Sequence, residues 1–128
     1  DLVLLPEMAL EHPPQCTDQG ELSMANVALL AISRLARRCR FYVVLGSVEE
    51  RAGDACYDTC VVFDRQGDMV LRYRKQSIVS STRTAGQEPG MFRTGFGAVG
   101  VLLGSEAEEA ARWAPLLARS PCAVLNPV

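Results

Sequence analysis

The sequence has little of what marks several large protein classes. Aromatic residues make up 6% of the 128 residues, the formal net charge is only -2, and histidine occurs once. A charge so close to zero gives no electrostatic basis for binding nucleic acid. No run approaches the roughly 18 apolar residues of a membrane span, and the apolar start lacks the basic region of a signal peptide. We therefore expect a soluble domain with no nucleic-acid partner and no membrane span.

Cysteine occurs five times, an odd count without regular spacing. Such a pattern argues against a disulfide framework. Cys56 and Cys60 are close enough to suggest a metal site, but no second pair and no nearby histidine completes a ligand set, since His12 stands beside two prolines in a predicted surface loop. The simpler interpretation is buried free thiols and no metal, in the cytoplasm or another reducing compartment.

Apolar periodicity predicts the element order β-α-β-β-β-β-α-β. The predicted strands are Leu2 to Leu5, Phe41 to Val48, Tyr57 to Phe63, Asp68 to Lys75, Gly97 to Leu103 and Cys122 to Leu125, and the predicted helices are Glu21 to Arg38 and Glu106 to Ala114. Pro115 is expected to end or kink the second helix. Asp64-Arg65-Gln66-Gly67 fits a hairpin turn, and the polar segment from Ser80 to Pro89 is expected to be a loop. The order indicates a layered α/β domain with a mixed sheet.

Two charged residues end predicted buried strands. Glu7 follows the first strand, at the sheet edge where α/β proteins bind ligands, and apolar neighbours would disfavour its charged form and make it a usable base. Lys75 shares one face of its strand with Met69, Leu71 and Tyr73, so its ammonium group is expected to point inward. The alternatives are a solvated loop acid for Glu7 and a lysine that reaches water at a strand end for Lys75.

Gly104 stands between a buried strand and a predicted helix, where many α/β enzymes carry a nucleophile. Glycine has no side chain with which to attack a substrate. Ser105 is a conceivable substitute, but Ser105-x-x-Glu108 is more simply interpreted as a capping box at the helix start. The pattern is that of an enzyme site without its central residue.

Five segments, taken in order, resemble the nitrilase family, also called the carbon–nitrogen hydrolases. They are Asp1 to Glu7, Tyr57 to Asp64 followed by Gly67, Leu71 to Lys75, Pro89 to Gly97 before the strand Val99 to Leu103, and Ala123 to Pro127. The resemblance covers nearly the whole chain. It implies a nitrilase-like α-β-β-α sandwich, with residues 1–128 forming a single domain that lacks the family's first strand and helix and its C-terminal part.

The resemblance also implies a chemistry. Family members cleave non-peptide amides or nitriles with a cysteine nucleophile, a glutamate base and a lysine that stabilises the tetrahedral intermediate, and no metal or organic cofactor is implied. By position, Glu7 matches the base, Lys75 matches the lysine, and Gly104 occupies the place of the cysteine. Thr82 and Ser77 stand where the family usually has a further glutamate and often a histidine.

Three functions follow from this pattern. The first is a catalytically inactive domain that is kept as a scaffold or as an assembly or regulatory subunit, in a homodimer or a larger complex. The second is an active amidase or nitrilase, which would need a nucleophile from elsewhere or from a partner chain. The third is a module that binds a small amide or carboxylate ligand between Glu7 and Lys75 without turnover.

Overall fold

The computed structural model describes residues 1–10 and 27–128. Its elements are β1 (Leu2–Leu4), α1 (Val27–Cys39), β2 (Tyr42–Ala52), β3 (Ala55–Phe63), β4 (Met69–Arg74), β5 (Gly90–Thr94), β6 (Gly97–Val101), a 3₁₀ turn (Gly104–Glu108), α2 (Ala110–Leu117) and β7 (Ala123–Leu125). One sheet has the order β1-β2-β3-β4 and the other the order β5-β6-β7. In each sheet one strand pair is parallel, β1 with β2 and β6 with β7, and the rest are antiparallel. His12 and Cys16 lie outside the described residues.

Alternating side chains of the first sheet build two apolar layers. Val44 and Val62 face the second sheet, in a buried cluster that includes Phe92. The neighbouring residues Val43 and Val61 face the opposite way and pack with α1. This alternation places one core between the two sheets and another beneath the first helix.

The second helix covers the outer face of the second sheet. Leu116 of α2 is fully buried, and a Cβ atom on Gly100 of β6 would lie 3.2 Å from its Cδ1 atom. With α1 on the other side, the layers run helix, sheet, sheet, helix. The predicted layered α/β class is confirmed, and this layer order is that of an α-β-β-α sandwich.

Two strands are longer than predicted, and one strand was not predicted. The strands β2 and β3 continue to Ala52 and Ala55, where Gly53 and Asp54 connect them in a tight hairpin. The predicted strands leave out the charged stretch between Val48 and Tyr57, in which the inward-facing Glu50 finds partners on β4. The strand β5 was not predicted, because its apolar content is low and its strand geometry depends on the ladder with β6.

Other expectations are corrected at the edges of the sheets. The strand β1 was predicted to be buried on both faces, yet Val3 and Leu4 are 39% and 40% exposed. In the described part of the chain β1 pairs with β2 alone and forms a sheet edge. Met69 packs towards α1 rather than with Leu71 and Tyr73, because the pairing of β3 with β4 shifts by a residue beside it.

The second helix also differs from its prediction. It begins at Ala110 rather than at Glu106, because Gly104–Glu108 forms the 3₁₀ turn and Glu109 is extended (φ -99°). Pro115 lies inside the helix, which continues to Leu117. The Ala118 N–H still donates to the Ala114 carbonyl, so the helix closes one turn beyond the predicted end.

The described cysteines are free thiols, but only Cys56 and Cys60 are buried, so the expectation of buried thiols is wrong for the exposed Cys39 and Cys122. Within the described ranges, no group of three or more His, Cys, Asp or Glu side chains is arranged to hold a metal ion. The helices that the structure describes are too short or too polar to cross a bilayer.

Candidate functional site

The structure brings the three predicted site residues into one place. Lys75 Nζ lies 3.2 Å from Glu7 Oε1, although the two residues are 68 positions apart in the chain. A Cβ atom built on Gly104 would lie 3.0 Å from Glu7 Oε2 and 3.2 Å from Lys75 Nζ. The side chains are mostly enclosed, with 13% of Lys75 and 26% of Glu7 exposed. The carboxylate and the ammonium group therefore flank the point from which a side chain at position 104 would project.

A bulge in β2 holds the segment that carries Glu7. The register between β2 and β3 shifts between Leu45 and Val48, which places the extra residue at Gly46 or Ser47. The Ser47 hydroxyl accepts a hydrogen bond from the Met8 N–H at 3.1 Å. Gly46 lies against the chain after β1, because a Cβ atom there would come within 2.4 Å of the Pro6 carbonyl oxygen. The bulge thus positions the residues on both sides of Glu7.

Lys75 follows the last residue of β4 and is held through its backbone. Its N–H donates to the Asp58 carbonyl at 2.8 Å, and its own carbonyl accepts from the Gly86 N–H at 2.8 Å. The side chain continues the face of Tyr73, as the alternation along the strand predicts. Lys75 is also the single lysine among the 13 lysine and arginine residues of the sequence. A label or reagent that is specific for lysine side chains therefore reports on this site.

Gly104 occupies a left-handed turn between β6 and the 3₁₀ turn. Its φ angle is +48°, a conformation that costs residues with a side chain about 1–2 kcal/mol. Its N–H donates to the Pro127 carbonyl at 3.1 Å. Ser105 is exposed, and the capping box predicted for it is wrong: the Leu103 N–H donates instead to the Glu106 carboxylate at 2.7 Å. The cap lies two residues earlier because the turn starts at Gly104 itself.

Sequence reasoning missed the part that Glu106 plays beside this turn. Glu106 is fully buried and accepts hydrogen bonds from the Tyr73 hydroxyl and from the backbone N–H groups of Gln76, Ser77 and Leu103. Burial, together with the charge of Glu106 and the hydrogen bond to it, raises the pKa of Tyr73 well above its usual range, so the phenol remains a donor. The only sequence signal was an acidic residue just after the end of a strand, and the capping-box interpretation assigned the capping role to Glu108 instead.

Ser77 and Thr82, the two residues that depart from the pattern of the resemblance, have different surroundings. The Ser77 hydroxyl donates to Glu109 at 2.8 Å and accepts from Arg112 Nε at 3.1 Å, and this contact from Ser77 lowers the pKa of Glu109. Thr82 lies in an exposed turn, where its hydroxyl is 2.8 Å from that of Ser80. Ser77 is thus part of a polar network directly after Lys75, whereas Thr82 is engaged in a local turn.

A second buried carboxylate, Glu50, lies on the helix-facing side of the first sheet. It accepts hydrogen bonds from Thr59 at 2.7 Å and from the guanidinium groups of Arg72 and Arg74. Burial alone would raise the pKa of Glu50, but these three donors outweigh it and lower that pKa to about 2. The group ties β2, β3 and β4 together and was not predicted from the sequence.

A cleft of about 510 Å³ lies beside this cluster rather than at the site. Its walls include Tyr57, Arg72, Arg74 and the loop 85–89, whereas Glu7, Lys75 and Gly104 do not line it. The Arg74 guanidinium carbon lies 3.8 Å from the centre of the Tyr57 ring, a cation–π contact that fills part of the wall. The cleft adjoins the site, because Tyr73 and Gly86 also line it, but the three predicted site residues are not part of its wall.

The comparisons with known proteins agree on one family. The family profile described as carbon-nitrogen hydrolase matches residues 1–108. The chloroplastic omega-amidase of Arabidopsis thaliana is 29% identical over 120 residues, which cover 78% of this chain and 32% of that protein. Omega-amidase NIT2 of Danio rerio is 32% identical over 82 residues, which cover 55% of this chain and 30% of that protein.

Solved structures confirm the predicted nitrilase-like α-β-β-α sandwich, of which this chain forms a part. Nit3 of Saccharomyces cerevisiae, a member of the nitrilase superfamily, superposes with a TM-score of 0.83 at 21% identity, over 98% of this chain and 50% of that one. A carbon-nitrogen hydrolase of Helicobacter pylori gives a TM-score of 0.79 at 21% identity, over 99% and 47%. The chain spans about a third of the length of these curated relatives and about half of these solved chains.

Proposed function

Because the chain belongs to the carbon–nitrogen hydrolase family, we propose that it is a member without catalytic activity, kept as a scaffold or as an assembly or regulatory subunit. One observation carries this proposal: glycine occupies the point between Glu7 and Lys75 from which the nucleophile would project. A base and a stabilising cation cannot form a covalent acyl-enzyme by themselves. Loss of the nucleophile in such a unit costs on the order of a million-fold in turnover.

The neighbouring hydroxyl does not replace the missing thiol. The Ser105 side chain is exposed to solvent, whereas the side chains of Glu7 and Lys75 are mostly enclosed. Ser77 has a carboxylate partner in Glu109, but Arg112 also donates to its oxygen. That donation withdraws electron density from the hydroxyl oxygen and makes it a poorer nucleophile.

An active amidase is the second candidate, and the intact Glu7–Lys75 pair favours it together with the similarity to omega-amidases. It would need a nucleophile from a partner chain or from a part of the protein beyond this sequence. A module that binds a small amide or carboxylate beside Lys75 is the third candidate. For all three, the free thiols support a reducing compartment such as the cytoplasm.

The deciding experiment incubates the purified protein with small amides and nitriles, omega-amides included, and follows ammonia release and intact mass. We expect hydrolysis at the background rate and no covalent adduct. Turnover that Glu7→Gln abolishes, or an adduct in stoichiometric amount, would contradict the proposal. Saturable binding of an amide or carboxylate without turnover, weakened by Lys75→Gln, would favour the third candidate.

Restoring the thiol tests how much of the site persists. We expect Gly104→Cys to recover little activity, because φ +48° strains any side chain and the new Cβ would contact Glu7 Oε2 at 3.0 Å. Thr82 also departs from the family pattern. The measurement is the acylation rate by mass spectrometry with an activated amide. Strong recovery from this single change would mean that the rest of the site is still arranged for catalysis.

A further inference from the structure

Beside the site, a single buried carboxylate, that of Glu106, joins the segments that carry Lys75 and Gly104. Glu106 Oε2 accepts from the Leu103 N–H at 2.7 Å and from the Tyr73 hydroxyl at 2.8 Å. Its Oε1 atom accepts from the Gln76 N–H at 2.6 Å and from the Ser77 N–H at 3.1 Å. A carboxylate offers about four acceptor positions, so these four donors saturate it. Glu106 is fully buried, so water cannot replace a lost partner. Removal of one donor or of one carboxylate oxygen would leave a buried polar group without a hydrogen bond.

These donors surround the site residues in the chain. Tyr73 and Gln76 stand on either side of Lys75, and Leu103 directly precedes Gly104. The Glu106 N–H also donates to the Leu103 carbonyl at 3.1 Å, which closes the turn around Gly104. A single side chain thus joins the end of β4, which presents Lys75, to the turn that presents position 104.

The helix that follows strengthens the same junction. Arg112 Nη1 donates to the Gln76 side-chain oxygen at 3.1 Å, and Glu109 accepts from the Ser77 hydroxyl. Residues 76 and 77 are therefore held through their backbone by Glu106 and through their side chains by α2. Lys75, which contacts Glu7, is the residue immediately before this junction.

From this arrangement we propose that Glu106 is a positioning residue, which holds Lys75 against Glu7 and against the turn at Gly104 without touching either charged group. The inference deepens the proposed function and rests on it, because it concerns the same site. It explains how the Glu7–Lys75 geometry persists where no nucleophile stands between the two side chains.

The single lysine makes the test direct. Protein labelled with ¹³C-lysine gives one lysine side-chain spectrum, that of Lys75, and Glu7→Gln should shift its Cε resonance in the parent protein. Glu106→Gln replaces one acceptor oxygen with a donor amide, so that two of the four donors lose their acceptor. When Glu106→Gln is already present, we expect Glu7→Gln to shift the Lys75 Cε resonance much less than it does in the parent protein. The exposed Glu108→Gln removes the same charge two residues later and should preserve the response.

A reactivity measurement complements the spectrum. We expect acetylation of Lys75, followed by intact mass and peptide mapping, to be about tenfold faster in Glu106→Gln, since a hydrogen bond to a charged group contributes a factor of about ten or more. Val61→Ala in the helix-side core serves as a control that destabilises the fold on the opposite face of the sheet from Tyr73, and it should leave this rate unchanged. Equal acceleration by Val61→Ala would contradict a positioning role.

The outcomes separate this inference from the proposed function. A folded Glu106→Gln protein with an unchanged Lys75 resonance and an unchanged response to Glu7→Gln overturns the positioning role. If Glu106→Gln does not fold, Tyr73→Phe decides, because it removes one donor only and should reduce the response in part; an unchanged response overturns the proposal. Neither readout depends on turnover, so discovery of amidase activity would overturn the proposed function alone.

Discussion

Two glycines fix the shape of the site at the scale of single residues. Gly104 adopts φ +48°, which a cysteine in its place would have to adopt at a cost of about 1–2 kcal/mol. Gly46 does not have a positive φ angle, but the chain after β1 leaves no room for a side chain there. Under the proposed function the first glycine stands where the nucleophile is expected, and the second allows the backbone beside Glu7 to approach β2.

Gly46→Ala tests the close approach. Its Cβ atom would lie 2.4 Å from the Pro6 oxygen and 2.5 Å from the Leu5 oxygen, both of them backbone atoms that cannot rotate away. We expect a loss of stability of about 1–3 kcal/mol, the usual cost of overpacking, measured by urea unfolding. Gly95→Ala is the matched control, because the nearest atom to its new Cβ would be 4.0 Å away. Equal stability of the two variants would exclude the close approach.

At the scale of elements, paired charges replace apolar contacts where the first sheet extends beyond its core. Glu50 of β2 is fully buried among Thr59 of β3 and the two arginines of β4. The two arginine side chains are 27% and 30% exposed, whereas the Glu50 side chain is not exposed at all. The extended hairpin therefore depends on the ionised form of one acid.

Acid should weaken this part of the sheet. The pKa of Glu50 is about 2 in the fold against an ordinary value of 4.5, so its contribution is complete above pH 4.5 and is lost as the pH falls towards 2. The difference corresponds to about 3 kcal/mol. We expect Glu50→Gln to destabilise the protein at pH 7 and the gap from the parent to narrow between pH 4.5 and 2, measured by denaturant unfolding.

The exposed Glu108→Gln provides the control for that pH series. It removes an acidic charge outside the cluster, and its stability curve should run parallel to that of the parent through the same range. A gap between parent and Glu50→Gln that stays constant from pH 7 to pH 2 would show that the ionisation of Glu50 contributes nothing to stability.

At the scale of the whole molecule, the helix layers leave apolar side chains on the outside. Leu35 of α1 is 50% exposed and Leu117 of α2 is 59% exposed. Isolated exposed leucines are common on protein surfaces, but the resemblance implies that related sandwiches pair through a helix layer. A member without activity also needs an interaction that explains why it is kept.

We therefore predict that the full-length protein is a homodimer or part of a larger complex at micromolar concentration. Sedimentation velocity measures the assembly, and Leu117→Arg compared with Leu35→Arg identifies the paired layer, since a buried unpaired charge at an interface is costly. Only the variant in the paired layer should dissociate the complex. A stable monomer, with no partner recovered from the source of the protein, would refute this prediction.

The sequence by itself determined the apolar strands and the turn at Gly67. A strand must bury alternate side chains, and φ of +82° at a turn favours glycine, so both leave local signals. The resemblance, a pattern over the whole chain, also singled out Glu7, Lys75 and Gly104, whose roles stay predictions.

Only the tertiary structure decided the rest. Glu106 and Glu50 look like surface acids in the sequence, because most of their donors belong to residues 22 to 33 positions away and leave no local signal. The strand β5 and the extended hairpin likewise depend on partner strands. A buried carboxylate is stable only where the fold delivers hydrogen-bond donors to both of its oxygens, and that delivery is a property of chain topology rather than of neighbouring residues.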